Sequence, residues 1–258
     1  NPSLPTQLID KKIKETNEEL KKHNVNVTSS FTGAFTRLNN LTHPDEDFRK
    51  YYVDWFKTFT DITVGLGSKK IGSHFAILTQ KDLEDESRKS FLREDAIKSW
   101  HEIGSYAKEQ GIEEIYWEPM SISREFGETI EEAIKLNDEL NDNSPLPFSM
   151  CLDVDHGDLE SPNPLDIDPH AWIEQCNSAF NMLHLKQSSS NKGGHWPFTE
   201  ENNKDGNIEA RKIINSIKKS HPRMIQMILE LSFKERQPSD RLAAEHVKDS
   251  VSYWKKYI

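Results

Sequence analysis

The chain has 258 residues, 33 basic and 43 acidic, giving a formal net charge of −10 and a pI near 5.5. That excess of acid excludes a surface built to follow a nucleic-acid backbone or an anionic membrane, both of which demand Lys and Arg, but leaves room for a small phosphorylated ligand. The two cysteines, Cys151 and Cys176, rule out a disulfide framework and suggest a reducing cytoplasm. No apolar run approaches the ~18 residues of a membrane span, and the opening residues do not read as a signal peptide. Six Trp and twelve Phe supply core material, so the polar composition does not signal disorder.

In chain order, Leu8–His23 reads as an amphipathic helix ending at Asn24, and Val25–Phe31 as a strand rich in β-branched residues. Pro44 and Asp45 mark a helix start, with acids in the first turn and Gly65 and Gly67 at the end. Its aromatic run, Tyr51, Tyr52, Trp55, Phe56 and Phe59, has helical spacing and reads as packing. Strands follow at Lys70–Leu78, Glu114–Glu118, Phe148–Asp153, Phe180–Gln187 and Arg223–Phe233. Helices between and after them cover Arg88–Gln110, Gly127–Leu140, a segment beginning Pro169–Cys176, Asn207–Ser220 and Asp240–Lys255. Short strands, apolar on both faces and separated by helices, are the pattern of βα units around a parallel sheet.

Six strands are visible where a closed (β/α)₈ barrel has eight, and the chain opens with Asn1 inside what reads as a βα loop. The expectation is therefore a single TIM (β/α)8 barrel domain over residues 1–258, without its first two βα units. The alternative is an open, doubly wound sheet.

In βα barrels the chemistry gathers at the C-terminal ends of strands. One strand here ends in Glu118, the next in Asp153, a third carries His184 and Lys186, and the last carries Glu230 in an otherwise apolar run. An unpaired carboxylate in such a run is costly to bury, and a metal ion or a shared proton relieves that cost. Three carboxylates and an imidazole suit Mn²⁺, Mg²⁺ or Co²⁺, with Zn²⁺ also acceptable. A divalent ion beside a ketose carbonyl, flanked by two carboxylates, suits proton transfer through an enediolate. That chemistry gives 3-epimerisation or aldose–ketose isomerisation.

These residues resemble the sugar phosphate isomerase/epimerase superfamily of xylose isomerase-like TIM barrels. Trp117-Glu118-Pro119-Met120 with Ser123-Arg124-Glu125, Gly72-Ser73-His74-Phe75, Leu152–Gly157 and His184–Gln187 are most similar to its tetrulose phosphate epimerase branch. The resemblance implies Glu118, Asp153, His184 and Glu230 as metal ligands, Glu118 and Glu230 as the acid/base pair, and His156 at a substrate hydroxyl. Two positions depart from the pattern of the ketose epimerases. Ser190 stands where they carry an Arg six residues after the metal His, and Arg124 where they carry a Glu six residues after the first metal Glu. Both departures suggest a substrate other than a free hexulose, shorter and phosphorylated.

Lys186, His74 and His195 are further candidates for substrate contact. Each has a plainer reading: a solvated strand-end Lys, a core His, a loop residue. The polar stretch from Ser188 through Asn191 to His195 reads as a Gly-rich loop able to cradle a phosphate. Asp155 is a candidate orienter of His156, Asn39 a lid-loop residue, and Ala34 part of a pocket floor. The expected partner is a small ketose or ketose phosphate, with no nucleic acid and no membrane, in the cytoplasm; the sequence leaves a homo-oligomer open. Competing readings are an aldose–ketose isomerase, a metal-dependent phosphodiesterase of the apurinic endonuclease kind, and a non-catalytic sugar-binding barrel.

Overall fold

The computed structural model describes residues 1–33, 40–189, 192–220, 224–233 and 238–258. They group into two units, 1–127 with 131–150 and 128–130 with 151–258.

In the first unit, strands β1 (Ser30–Phe31), β2 (Lys70–His74), β3 (Glu114–Glu118) and the start of β4 (Phe148–Asp153) are parallel neighbours in that order. The register sets Ser30 opposite Ile71, His74 opposite Glu118 and Trp117 opposite Met150. Every residue of β3 and β4 is buried, as their continuous apolar character requires of parallel strands covered on both faces. Gly72 admits this packing at one point, because the Phe31 ring lies where its side chain would be.

The helices begin where the sequence supplies caps. Asp45 accepts the Asp47 amide at 2.8 Å to start α2 (Glu46–Gly65), and Asp85 accepts that of Arg88 at 3.0 Å to start α4 (Glu86–Glu109). Helix α1 (Thr6–His23) ends at Asn24 in the left-handed conformation, and a short α3 (Gln80–Glu84) precedes α4. Phe56 of α2 packs on Trp100 of α4 with ring centroids 4.7 Å apart, while Tyr51 of the same aromatic run faces solvent.

At the N-terminal ends of β2–β4, Glu114 accepts hydrogen bonds from Ser149 Oγ at 2.6 Å and Tyr116 Oη at 3.0 Å, and pairs with Lys70 at 2.8 Å. Burial heads the causes that push the Tyr116 phenol up to about 12, so it stays a donor. This network fixes one end of the sheet and leaves the C-terminal ends for Glu118 and His74. All but the first residue of α5 (Ile130–Asn141) belongs to this unit, and its Asn137 accepts the Trp117 indole N–H at 3.0 Å.

In the second unit, the end of β4 meets β5 (Phe180–Leu185) where the Val154 amide donates to the His184 carbonyl at 3.3 Å. β5 in turn pairs parallel with β8 (Gln226–Leu229), and the Glu230 amide donates to the Leu185 carbonyl at 3.0 Å. Glu230 thus stands one residue beyond its strand rather than inside it; Arg223, read as the start of that strand, lies outside the described residues. Asp168 caps α6 (Pro169–Cys176), which packs on α8 (Ala210–Ser220) through a 2.9 Å His170–Ser216 hydrogen bond.

The stretch read as a Gly-rich loop is instead part of an antiparallel hairpin, β6 (Gln187–Ser189) with β7 (Lys192–Trp196). Short helices α7 (Glu200–Lys204) and α9 (Pro238–Arg241) and the longer α10 (Ala243–Trp254) complete the unit, with Phe198 packed edge-on against Trp254. Among the described residues no helix is long and apolar enough to cross a membrane.

Candidate active site

Six of the eight predicted site residues lie in the second unit, and its strand ends bring them together. Asp153 ends β4, His184 is in β5, Lys186 follows β5, and Glu230 follows β8. Asp153, His184 and Glu230 each offer a ligand atom, and these atoms lie within 4.8 Å of one another. Two carboxylates and an imidazole at that separation, Asp153 and His184 buried and Glu230 part-exposed, form a donor set that fits a hard or borderline divalent ion.

Lys186 is not a solvated strand-end lysine. It is 3 % exposed, and its ammonium lies 3.1 Å from Asp153 Oδ2, 3.6 Å from Glu230 Oε2 and 3.3 Å from His156 Nε2. The side chain therefore balances the two carboxylates, and it donates to His156, which requires the proton of that imidazole to sit on Nδ1. The other carboxylate oxygen of Asp153 accepts the Asp155 amide at 2.8 Å, a tight turn that starts the loop carrying His156. The Asp155 carboxylate accepts from Ser188 Oγ at 2.7 Å, so it ties that loop to the hairpin.

His195, on β7, reaches Glu230 from the hairpin side, with its Nδ1 3.2 Å from Oε2. The Ser232 amide donates to the His195 carbonyl at 3.0 Å, which fixes the hairpin beside the chain leaving β8. Burial alone would raise the Glu230 pKa. The His195 hydrogen bond and the pull of His184 and Lys186 outweigh it and hold the carboxyl well below the ordinary range. The same hydrogen bond raises the His195 pKa against desolvation and the charge of Lys186.

Glu118 and His74 lie in the first unit. Both are buried, and they face each other in register at the C-terminal ends of β3 and β2. β3 is the neighbour of β4, so Glu118 ends the strand beside the one that Asp153 ends. Ser190 and Asn191, as well as Asn39 and Ala34, lie outside the described residues. The cleft beside the hairpin is lined by Gln187, Ser188, Trp196, Asn202 and the carboxylates of Glu201 and Asp205, a lining that opposes an anion. The hairpin itself was missed from sequence. Its strands are three and five residues long and rich in Gly and Ser, which weakens any two-residue alternation.

Residues 2–257 match the family model described as the xylose isomerase-like TIM barrel. The chain is 43 % identical over 259 residues to the D-erythrulose 1-phosphate 3-epimerase of Brucella abortus (strain 2308), with 100 % of this chain and 84 % of that protein covered. A crystal structure from Rhodospirillum rubrum, provisionally assigned as a xylose isomerase, superposes with a TM-score of 0.89 at 20 % identity, covering 100 % of this chain and 86 % of that one. The D-allulose 3-epimerase from Methylomonas sp., in complex with D-allulose, superposes with a TM-score of 0.68 at 16 % identity, covering 95 % and 82 %. The last two likenesses speak to the fold, which is the TIM barrel expected from the βα alternation. On a match spanning nearly every residue, the chain belongs to the xylose isomerase-like TIM barrel family.

Proposed function

We propose that this enzyme, an isomerase by its kinship, is a divalent-metal-dependent 3-epimerase of a short ketose phosphate of tetrulose size. The observation that carries the proposal is the convergence of Asp153, His184 and Glu230 within ligand distance beside the buried Lys186. The full-length relative that epimerises a tetrulose phosphate points the same way. In this reading Glu118, from the strand next to β4, adds the fourth ligand.

A dication held by these side chains would act as a Lewis acid, drawing electron density from a carbonyl oxygen and acidifying the adjacent C–H. The chain's own residues do the rest. One of Glu118 and Glu230 takes the proton from C3, and the electron pair left behind delocalises toward the carbonyl as an enediolate. The other glutamic acid returns a proton to the opposite face of C3, which inverts that carbon. Holding Glu230 below the usual carboxylate range keeps it ionised, as a ligand and base must be. His195 anchors its orientation from the hairpin. Lys186, His156 and, from β2, His74 are the groups offered to substrate hydroxyls.

The test is NMR in D₂O with the Mg²⁺-loaded or Zn²⁺-loaded enzyme and a panel of ketoses and ketose phosphates. Deuterium entering C3 with inversion supports epimerisation, whereas entry at C1 or C2 identifies an aldose–ketose isomerase instead. No exchange with any ketose or its phosphate overturns the reading. Glu118→Gln and Glu230→Gln should each slow C3 exchange by roughly 10²–10⁴-fold, the span of general acid–base catalysis, with circular dichroism unchanged. A variant that keeps near-normal exchange removes that residue from the acid/base pair.

A further inference from the structure

We propose that Arg124 is the receptor for the phosphoryl group of the substrate, and so the residue that selects a phosphorylated ketose over a free one. The inference rests on the epimerase reading above and names the substrate class for that site.

Arg124 lies in the loop between β3 and α5, on the stretch that follows Glu118. Two reciprocal hydrogen bonds fasten it to the chain leaving β2. The Leu78 amide donates to the Arg124 carbonyl at 2.8 Å, and the Arg124 Nε donates to the Leu78 carbonyl at 2.9 Å. With Nε so held, the plane of the guanidinium is set, and its two Nη groups keep the parallel-donor geometry that matches phosphate.

The rest of the loop is built to keep that geometry in place. The Met120 amide donates to the Phe126 carbonyl at 3.1 Å and the Glu125 amide to the Ile122 carbonyl at 2.8 Å. Phe126 is buried with a φ of 66°, a conformation that costs a bulky residue energy, and its ring meets Phe75 edge-on at 5.0 Å. Such strain persists only where the surroundings over-determine it, and here it buttresses the residue two positions after Arg124.

Charge completes the case. Among the described residues of the first unit, each of the other arginines pairs with a carboxylate: Arg49 with Asp95 at 2.6 Å, Arg88 with Asp82 at 3.2 Å and Arg93 with Glu139 at 3.1 Å. Among the described residues Arg124 bonds to a backbone carbonyl and meets no carboxylate, in a chain with ten more acidic than basic groups. An immobilised, partly exposed guanidinium on the loop that follows Glu118, with no carboxylate partner among the described residues, is suited to a dianion. The cleft beside the hairpin, with Glu201 and Asp205 in its wall, is not.

The experiment compares wild type, Arg124→Gln and Arg124→Lys on a tetrulose 1-phosphate and on the free tetrulose, with C3 deuterium exchange as the rate. Binding of inorganic phosphate to each protein is measured in parallel by calorimetry. The ratio of kcat/KM for phosphorylated over free ketose should fall roughly 30–100-fold in Arg124→Gln, carried by KM, with Arg124→Lys between. Inorganic phosphate should bind wild type and lose at least tenfold in affinity for Arg124→Gln. An unchanged ratio, including equal loss on both substrates, assigns Arg124 to holding the loop and overturns the proposal. If wild type exchanges no ketose, the epimerase reading fails, and the phosphate titration alone decides Arg124, with equal affinity for wild type and Arg124→Gln overturning it.

Discussion

A lysine with 3 % of its surface exposed, set against two carboxylates, is unusual, because a long cationic side chain loses both hydration and rotamer freedom there. Lys186 remains because the fully buried Asp153 carboxylate would otherwise face the Glu230 carboxylate without a compensating charge. Replacing it with Met should leave those acids uncompensated and destabilise the protein by about 3–5 kcal/mol, the cost of breaking a buried pair. The same change removes a positive charge from the neighbourhood of a dication, so Mn²⁺ should bind Lys186→Met more tightly than wild type. Thermal melts with EDTA and with saturating Mn²⁺ check both signs: the deficit should be large with EDTA and narrow with the metal. A deficit that Mn²⁺ leaves unchanged would mean that Lys186 does not share the carboxylates with a dication. The sequence located this residue but could not decide between solvent and site, since its partners, Asp153 at the end of β4 and Glu230 after β8, lie far from it along the chain.

At the scale of elements, the sequence was most legible where one physical cause dominated. β3 and β4 appear with the ends read for them, because continuous apolar runs bounded by polar residues leave little choice. α6 begins at Pro169, as read from the sequence. Val25–Phe31 shortened to Ser30–Phe31, since β-branched residues make a strand only where backbone pairing is available, and Val25 lies exposed. The segment after β4 shows a constraint that sequence patterns carry only faintly. Gly157 has a φ of +133°, and a Cβ there would overlap the Asp166 carbonyl oxygen. Asp166 is itself pinned: its carboxylate accepts from the Ile130 amide at 3.1 Å and Ser161 Oγ at 2.6 Å, and its carbonyl from the Trp172 indole at 2.8 Å. Gly157→Ala should therefore displace the glycine side of this contact, where His156 sits. We expect a loss of at least ~2 kcal/mol in stability by denaturant titration, together with a raised KM for the ketose phosphate. Wild-type stability in that variant would show that the loop can relax without strain.

For the whole molecule, a bound dication and the folded chain are thermodynamically linked, because the ligands at Asp153, His184 and Glu230 are assembled only by folding. A metal at one hundred times its dissociation constant should add about 2.7 kcal/mol to stability. For a chain of this size, at roughly 2–4 °C per kcal/mol, that corresponds to a rise in Tm of about 5–11 °C. The net charge of −10 complicates the reading, since 43 acidic side chains attract divalent ions diffusely. Such diffuse binding is screened at 0.15 M salt, whereas a chelating site is not. Asp153→Asn separates the two: its amide oxygen still accepts the Asp155 amide, which preserves the turn, but the ligand charge is gone. Wild type in 0.15 M salt should gain the full shift with Mg²⁺, Mn²⁺, Co²⁺ or Zn²⁺ and lose it on EDTA, while Asp153→Asn gains less than about 2 °C. An equal shift in both proteins would place the ions on the surface, and no shift with any of the four would remove the metal from the proposed mechanism.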